Sequence, residues 1–132
     1  MSNRLKFRVY DKKEGKYLRE VDILMYVPVS CGQALGLNEF IKRPERYVIE
    51  QWVGCQDINS ALVYEGHIIL ADIGERCKTV VKGEVVHNSR FGYFAINFYD
   101  DHSKVMMHTN LCECSDIQVL GNVHDDKELL ND

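Results

Sequence analysis

A chain of 132 residues, 45% hydrophobic and 27% charged with a net charge of −4, is long enough to bury a core without disulfides or metal. This composition excludes a largely disordered chain, and no apolar run approaches the ~20 residues that a membrane span needs. The five cysteines are an odd number and no secretory leader precedes them, so we expect reduced thiols and a cytoplasmic protein without membrane contact.

Charge is unevenly distributed along the chain. Residues 1–19 carry seven basic and two acidic side chains, so the remainder is acidic. A basic end on an acidic body can bind nucleic acid, or it can dock on the acidic surface of another copy. The overall negative charge favours the second interpretation.

The first predicted element is a β-hairpin. Residues 5–9 alternate apolar and charged side chains, which is typical of a half-buried strand. The polar turn at residues 11–16 contains Gly15, which tolerates positive φ, and residues 17–29 form the return strand.

Residues 31–46 have no clear period, and we expect an irregular connection there. The sequence therefore predicts an N-terminal hairpin with its connection at residues 1–46 and a compact small β-barrel at residues 47–132. Within this second part, β-branched and aromatic side chains predict strands at 47–53, 67–71, 79–86, 91–99, 104–108 and 117–123.

Three details of the β-rich part are also predicted. Gly83 is expected to form a bulge or a bend, and the strand at 91–99, apolar on both faces, is expected to be the central one. Asp125 and Glu128 have the spacing of a capping box, which predicts a short C-terminal helical turn. The predicted fold class is mainly β, with short strands separated by turns as in a small barrel.

Three separated motifs point to a known family. Ile49–Asp57 followed by Tyr64-Glu65-Gly66, the opening Leu5–Asp11, and the ending Ile117–His124 with Glu128-Leu129-Leu130 together resemble the signature of the YopX family of phage and prophage proteins. The resemblance implies an SH3-like barrel, and the family's biochemical role is not established. His67 departs from the family pattern, which has Asp there. The motif positions are Gln51, Gly54, Tyr64, Glu65, Gly66, Gly121 and Asn122.

We expect these motif positions to be structural. Gly66 permits a backbone conformation that other residues rarely adopt, and motifs built around a glycine turn usually carry structure. The Tyr64 ring is expected to cover the mouth of the barrel.

A possible zinc site consists of Cys112 and Cys114 with His108 before them and His124 after them. Thiolates and imidazoles are the ligands that zinc prefers, but the Cys-x-Cys spacing is shorter than usual. Half-buried thiols and solvated histidines are the favoured alternative, so we expect no metal and no cofactor.

The remaining catalytic candidates are weaker. Cys55 follows a glycine and lacks an evident base, although His67 lies twelve residues on. The carboxylate pairs Asp100-Asp101 and Asp125-Asp126 fall where a turn or a cap explains them. The sequence contains no established catalytic motif, and we expect a protein that is not an enzyme.

The function expected from the sequence is protein–protein interaction, with the protein itself or a host or phage protein as partner. The alternative is nucleic-acid binding by the basic hairpin, with Tyr10 and Tyr17 near enough to stack on bases. The residues proposed for either role are Arg4, Lys6, Arg8 and Arg19.

Overall fold

The computed structural model describes residues 6–19 and 40–131. Their contacts divide the chain into two compact units, one ending at Gln51 and the other beginning at Trp52. Arg4, most of the predicted return strand and most of the irregular connection lie outside the described residues. The predicted domain division at residue 46 stays a prediction.

The N-terminal unit contains the predicted hairpin. Strand β1 (Phe7–Asp11) pairs antiparallel with β2 (Lys16–Tyr17), and the turn between them contains Gly15 with φ of 69°. On its other side β1 pairs with the first half of β3 (Tyr47–Gln56). Val9 is fully buried between these strands.

The second unit is built on a five-stranded antiparallel sheet that curls into a half-barrel. The order of the sheet is β8-β7-β6-β5-β9, and the second half of β3 pairs separately with β4. The strands are β4 (Leu62–Tyr64), β5 (His67–Asp72), β6 (Val80–Asn88), β7 (Tyr93–Asp100), β8 (Val105–Asn110) and β9 (Ser115–Asn122).

Alternation along these strands places one set of side chains in the core. Ile69, Val85 and Ile96 are fully buried and form one cluster with residues from β4 and β9. Two short 3-10 helices, Leu111–Glu113 and Lys127–Asn131, complete the unit, and the second of these is the predicted C-terminal turn. The predicted class, mainly β with a hairpin and a small barrel-like sheet, is confirmed.

Two predicted details are wrong. Gly83 is not a bulge, because it pairs in regular register with Ile69 on one side and Phe98 on the other. A Cβ atom at Gly83 would lie 2.1 Å from the carbonyl oxygen of Asn97, so the glycine allows β6 and β7 to approach closely. The centre of the sheet is β6 rather than β7. Two strands, β5 and β9, lie beyond β6 on the side away from β7, because β9 pairs with β5 over a long distance in sequence.

Within the described residues, no helix has the length and apolar character required to cross a lipid bilayer.

Candidate interaction surfaces

Arg8, one of the residues of the predicted basic face, contacts other side chains of its own unit. Arg8 Nε donates to Glu50 Oε1 at 2.7 Å, and its guanidinium lies 4.2 Å from the centre of the Tyr17 ring. The two charged side chains are only 17% and 5% exposed. The Tyr17 hydroxyl donates to the same Glu50 oxygen at 2.8 Å. Arg8 therefore stabilises the sheet of its own unit.

The tyrosines expected to stack on bases are also packed within the unit. The Tyr10 and Tyr17 rings meet edge to face with centroids 4.9 Å apart, and Tyr10 is buried. Of the other predicted residues in this group, Lys6 is half-buried, Arg19 is exposed and Arg4 lies outside the described residues. The structure thus leaves Arg19, rather than a row of alternating arginines, at the surface.

A second buried ion pair holds the turn that precedes β3. The Arg46 guanidinium donates to both carboxylate oxygens of Asp11 at 3.0 and 2.9 Å, and the N–H groups of Lys13 and Glu14 donate to Oδ1. The hydrogen bond from Arg46 is the main cause that lowers the pKa of Asp11. This pair couples the hairpin turn to the segment at 43–47.

The segment at 40–46 presents an apolar and cationic surface. Phe40 is buried and packs its ring on Tyr47 at 4.7 Å, while the Arg43 carbonyl accepts hydrogen bonds from the N–H groups of Arg46 and Tyr47. These contacts fix the turn on which Ile41, Lys42 and Arg43 are exposed, with Ile41 55% accessible. We call Ile41–Arg43 the basic knob.

The surface charge of the two units is opposite in sign. The described residues of the N-terminal unit contain nine basic and four acidic side chains, and two of the acids are the buried Asp11 and Glu50. Residues 52–131 contain six basic and twelve acidic side chains. Besides the knob, the exposed cations among the described residues of the N-terminal unit are Lys12, Lys13, Lys16 and Arg19.

The Tyr-Glu-Gly motif forms a tight turn between β4 and β5. Gly66 has φ of 85°, its N–H donates to the Val85 carbonyl at 2.9 Å, and its carbonyl accepts from the Val123 N–H at 2.8 Å. The Tyr64 N–H donates to His67 Nδ1 at 3.0 Å across the turn. His67 Nδ1 therefore provides a hydrogen-bond acceptor within the turn. Glu65 lies half-buried between Tyr64 and Gly66, and the placing of the Tyr64 ring over a barrel mouth stays a prediction.

The other motif positions also have structural surroundings. Gly54 has φ of 98° where the pairing of β3 with β4 shifts register, and Gln51 pairs with Phe7. At the end of β9, Asn122 Oδ1 accepts from the N–H groups of His124 and Asp125, both at 2.9 Å. Gly121 lies against the Asp126 carboxylate, where a Cβ would approach Oδ2 to 2.5 Å.

Sequence reasoning missed the role of Asp57. Its carboxylate is 8% exposed and accepts three backbone hydrogen bonds, from Asn59 at 2.9 Å, Ala61 at 2.8 Å and Val119 at 2.9 Å. The bond from Val119 is the largest cause that lowers the pKa of Asp57. This residue joins the turn after β3 to β9. Its only sequence signal is an aspartate in a polar turn, which many solvated turns share.

The proposed zinc ligands are not brought together as a set. In the part of the chain that the structure describes, no group of three or more His, Cys, Asp and Glu side chains is close enough to hold a metal ion. His108 instead lies 5.8 Å from the Phe91 ring and 6.2 Å from the Tyr93 ring. Burial raises the pKa of Cys114 to about 11, which disfavours the thiolate that zinc would bind.

The proposed nucleophile Cys55 is half-buried. Burial, reinforced by the charge of Asp57, raises the pKa of its thiol, and the Trp52 indole N–H donates to its carbonyl at 2.8 Å. Cys55, Cys112 and Cys114 line a cavity of about 460 Å³. His67 Nδ1 accepts a hydrogen bond from the Tyr64 N–H, so this nitrogen is not available as a base for the thiol.

The two carboxylate pairs are used in turns. Asp100 accepts from the His102 N–H and the Ser103 hydroxyl, and the latter bond is the largest cause that lowers its pKa. Asp126 accepts from the Asn122 N–H at 3.1 Å, while Asp125 accepts from the Asn122 side-chain amide at 3.2 Å. Asp101 is exposed next to Asp100.

A groove of about 660 Å³ crosses the sheet at β6, β7 and β8. Its apolar surface includes Tyr99 and Met106, which are paired across β7 and β8 and are 52% and 64% exposed. The acidic residues in its lining are Glu84, Asp100 and Asp101, against Lys82 as the basic one. We call this feature the sheet groove. Val80 and Leu130 extend its apolar surface.

The family model described as YopX protein matches residues 6–131, which is nearly the whole chain. A comparison with curated proteins found no match.

Proposed function

Since the chain belongs to the YopX protein family, we propose that it is a phage- or prophage-encoded accessory protein that acts by protein–protein contact. The proposed location is the cytoplasm of the host cell. The protein is proposed to be a non-enzymatic interaction module that self-associates, with the basic surface of the N-terminal unit of one copy on the acidic surface of the second unit of another.

The observation that carries this proposal is the opposite surface charge of the two units. Nine basic side chains stand against four acids in the described residues of the first unit, and twelve acids stand against six bases in residues 52–131. Both buried acids of the first unit are paired with arginines, so the exposed acids among its described residues are Glu14 and Glu45. Complementary charge of this kind steers association and sets its orientation.

The geometry of the candidate chemical sites also supports a role without catalysis. Burial raises the pKa of Cys55, the proposed nucleophile, and of Cys114, one of the proposed zinc ligands. The carboxylate pairs hold turns, and the motif glycines support tight backbone approaches. These groups are used in folding, so binding is the function that the remaining surface supports best.

Nucleic-acid binding remains the second candidate, supported by the exposed cations of the hairpin turn at Lys12, Lys13 and Lys16. Such side chains suit contacts with phosphates. The engagement of Arg8 with Glu50 and Tyr17 removes one of the four residues first expected to carry this role.

Sedimentation velocity at several protein concentrations, in low and in high salt, tests the proposal. We expect a larger species at low salt that dissociates at high salt, because exposed charges are screened beyond about 8 Å at physiological ionic strength. Changing Lys12, Lys13 and Lys16 together to Glu should weaken association about tenfold or more. The matched control is the same triple change to Arg, which keeps the charge.

A protein that remains monomeric at high concentration and low salt would overturn self-association. The same three proteins, treated with nuclease and repurified, are titrated into a fluorescent single-stranded oligonucleotide to test the second candidate. Tight salt-dependent binding that the Glu variant loses and the Arg variant keeps, in a monomeric protein, would favour nucleic acid as the ligand.

A further inference from the structure

The sheet groove has the two properties of a site for a basic, partly apolar segment. Tyr99 and Met106 provide accessible apolar surface, and Asp100 and Asp101 lie at the turn that joins their strands. The hydrogen bonds from Ser103 and His102 lower the pKa of Asp100, so its carboxylate stays ionised at neutral pH. An exposed apolar patch beside fixed negative charge favours a cationic partner.

The basic knob of the N-terminal unit has matching chemistry. It places one exposed aliphatic side chain, Ile41, directly before two exposed cations, Lys42 and Arg43. The turn that presents it is held by the Phe40–Tyr47 ring contact and by two hydrogen bonds to the Arg43 carbonyl at 3.0 and 2.9 Å. A segment ordered before binding loses less conformational entropy when it docks.

We propose that the sheet groove of one copy receives the basic knob of a second copy. Ile41 packs on Tyr99 and Met106, and the cations of the knob meet Asp100 and Asp101. This inference rests on the proposed function, because it names the two surfaces through which self-association occurs. The hairpin turn is less suited to the groove, since its exposed residues at 12–16 are polar or charged and supply no apolar side chain.

The knob and the groove are different surfaces, so the contact is heterologous. After one contact, one copy keeps an unused knob and the other keeps an unused groove, so association continues into a ring or an open chain. Growth beyond a dimer therefore distinguishes this contact from a two-fold symmetric dimer, in which both copies use the same surfaces on each other.

The experiment uses two full-length variants, each with one surface removed. Asp101→Arg reverses charge in the groove and leaves the knob intact, whereas Arg43→Asp reverses charge on the knob and leaves the groove intact. Both side chains are exposed, and circular dichroism and thermal unfolding of each variant verify its fold. The matched controls, Glu75→Arg and Lys78→Asp, make the same charge changes at exposed positions outside both surfaces.

We expect each surface variant to be monomeric alone, while the two controls associate like the wild type. An equimolar mixture of the two surface variants should associate again to at least a dimer of twice the 15.3 kDa chain mass, measured by light scattering after size exclusion, because it contains an intact groove, an intact knob and two reversed charges that attract each other. Ile41→Ser, which leaves the net charge unchanged, should weaken wild-type association about tenfold or more, since the contact loses a buried aliphatic side chain.

The outcomes separate this inference from the proposed function. A monomeric wild type overturns both. A wild type that associates, with surface variants that behave like their controls, overturns the knob and groove and leaves self-association standing. A mixture that stays monomeric, or an Ile41→Ser variant that associates like the wild type, overturns this pairing of surfaces.

Discussion

Asp57 shows how one buried carboxylate can organise two distant segments. Its two oxygens accept hydrogen bonds from the turn at 59–61 and from Val119 in β9. A neutral or truncated side chain at this position leaves at least one backbone N–H buried without an acceptor. Such a loss is more costly than the net contribution of an ordinary hydrogen bond.

We therefore expect Asp57→Asn to lower the free energy of unfolding by about 1–3 kcal/mol, because the amide group offers one acceptor oxygen where the carboxylate offers two. Urea unfolding followed by circular dichroism measures the change. Asp116→Asn, at an exposed position on β9, serves as the control and should be nearly neutral. Equal unfolding midpoints for the Asp57 variant and the wild type would show that the three hydrogen bonds contribute little.

At the scale of the elements, alternation of apolar and polar side chains predicted most strands, because one buried face leaves a period of two in the sequence. The same pattern does not indicate strand order, because strand order depends on pairing between segments that are distant in sequence. Its apolar character on both faces predicts a central position for β7, whereas β6 holds that place. The predicted bulge at Gly83 is wrong because a glycine within a strand signals either a bulge or a close approach, and only the neighbouring strand decides which.

The contact at Gly83 gives a prediction at this scale. Gly83→Ala should lower the free energy of unfolding by more than about 2 kcal/mol, because the added methyl would meet the backbone of β7 at Asn97, which cannot move without disturbing the sheet. Gly121→Ala should have a smaller effect, because its closest contacts, at 2.5–2.9 Å, are with the Asp126 side chain, whose displacement costs the hydrogen bond from the Asn122 N–H rather than the pairing of two strands. Thermal unfolding of both variants checks this order, and the reverse order would contradict it.

For the whole molecule, the sequence predicted the fold class and the family, and the charge asymmetry of the first nineteen residues. The candidate surfaces could not be predicted, because they depend on which cations are used internally. Arg8 and Arg46 both form ion pairs with buried acids, and alternation along a strand does not indicate such pairs. The sheet groove likewise combines β6, β7, β8 and the C-terminal turn, which are distant in sequence.

The buried and turn-bound carboxylates predict how stability depends on pH. Asp11, Asp57, Asp72 and Asp100 all have lowered pKa values in the folded protein, caused mainly by hydrogen bonds from Arg46, Val119, Thr79 and Ser103 respectively. The unfolded pKa of an aspartate is about 3.9, so their stabilisation is fully present well above that pH and is lost as the pH falls through the folded values.

We therefore expect the urea midpoint to be nearly constant at mildly acidic pH and to fall steeply below about pH 4. In Asp57→Asn this decline should be shallower, because one of the contributing carboxylates has been removed. The measurement is a series of urea titrations at decreasing pH. Parallel curves for the variant and the wild type would mean that Asp57 takes no part in acid unfolding.

The pairing of β9 with β5 also sets the order in which the half-barrel can be completed during synthesis. β5 leaves the ribosome about fifty residues ahead of its partner. At ~5–20 residues per second, one edge of β5 therefore waits for several seconds without its strand. During that interval the Asp57 carboxylate also lacks its Val119 donor, and the nascent sheet has an open edge on which other chains can pair. Translational pauses between residues 72 and 115 would prolong this exposure, so the rate of elongation across β6 to β8 bears directly on the yield of folded protein.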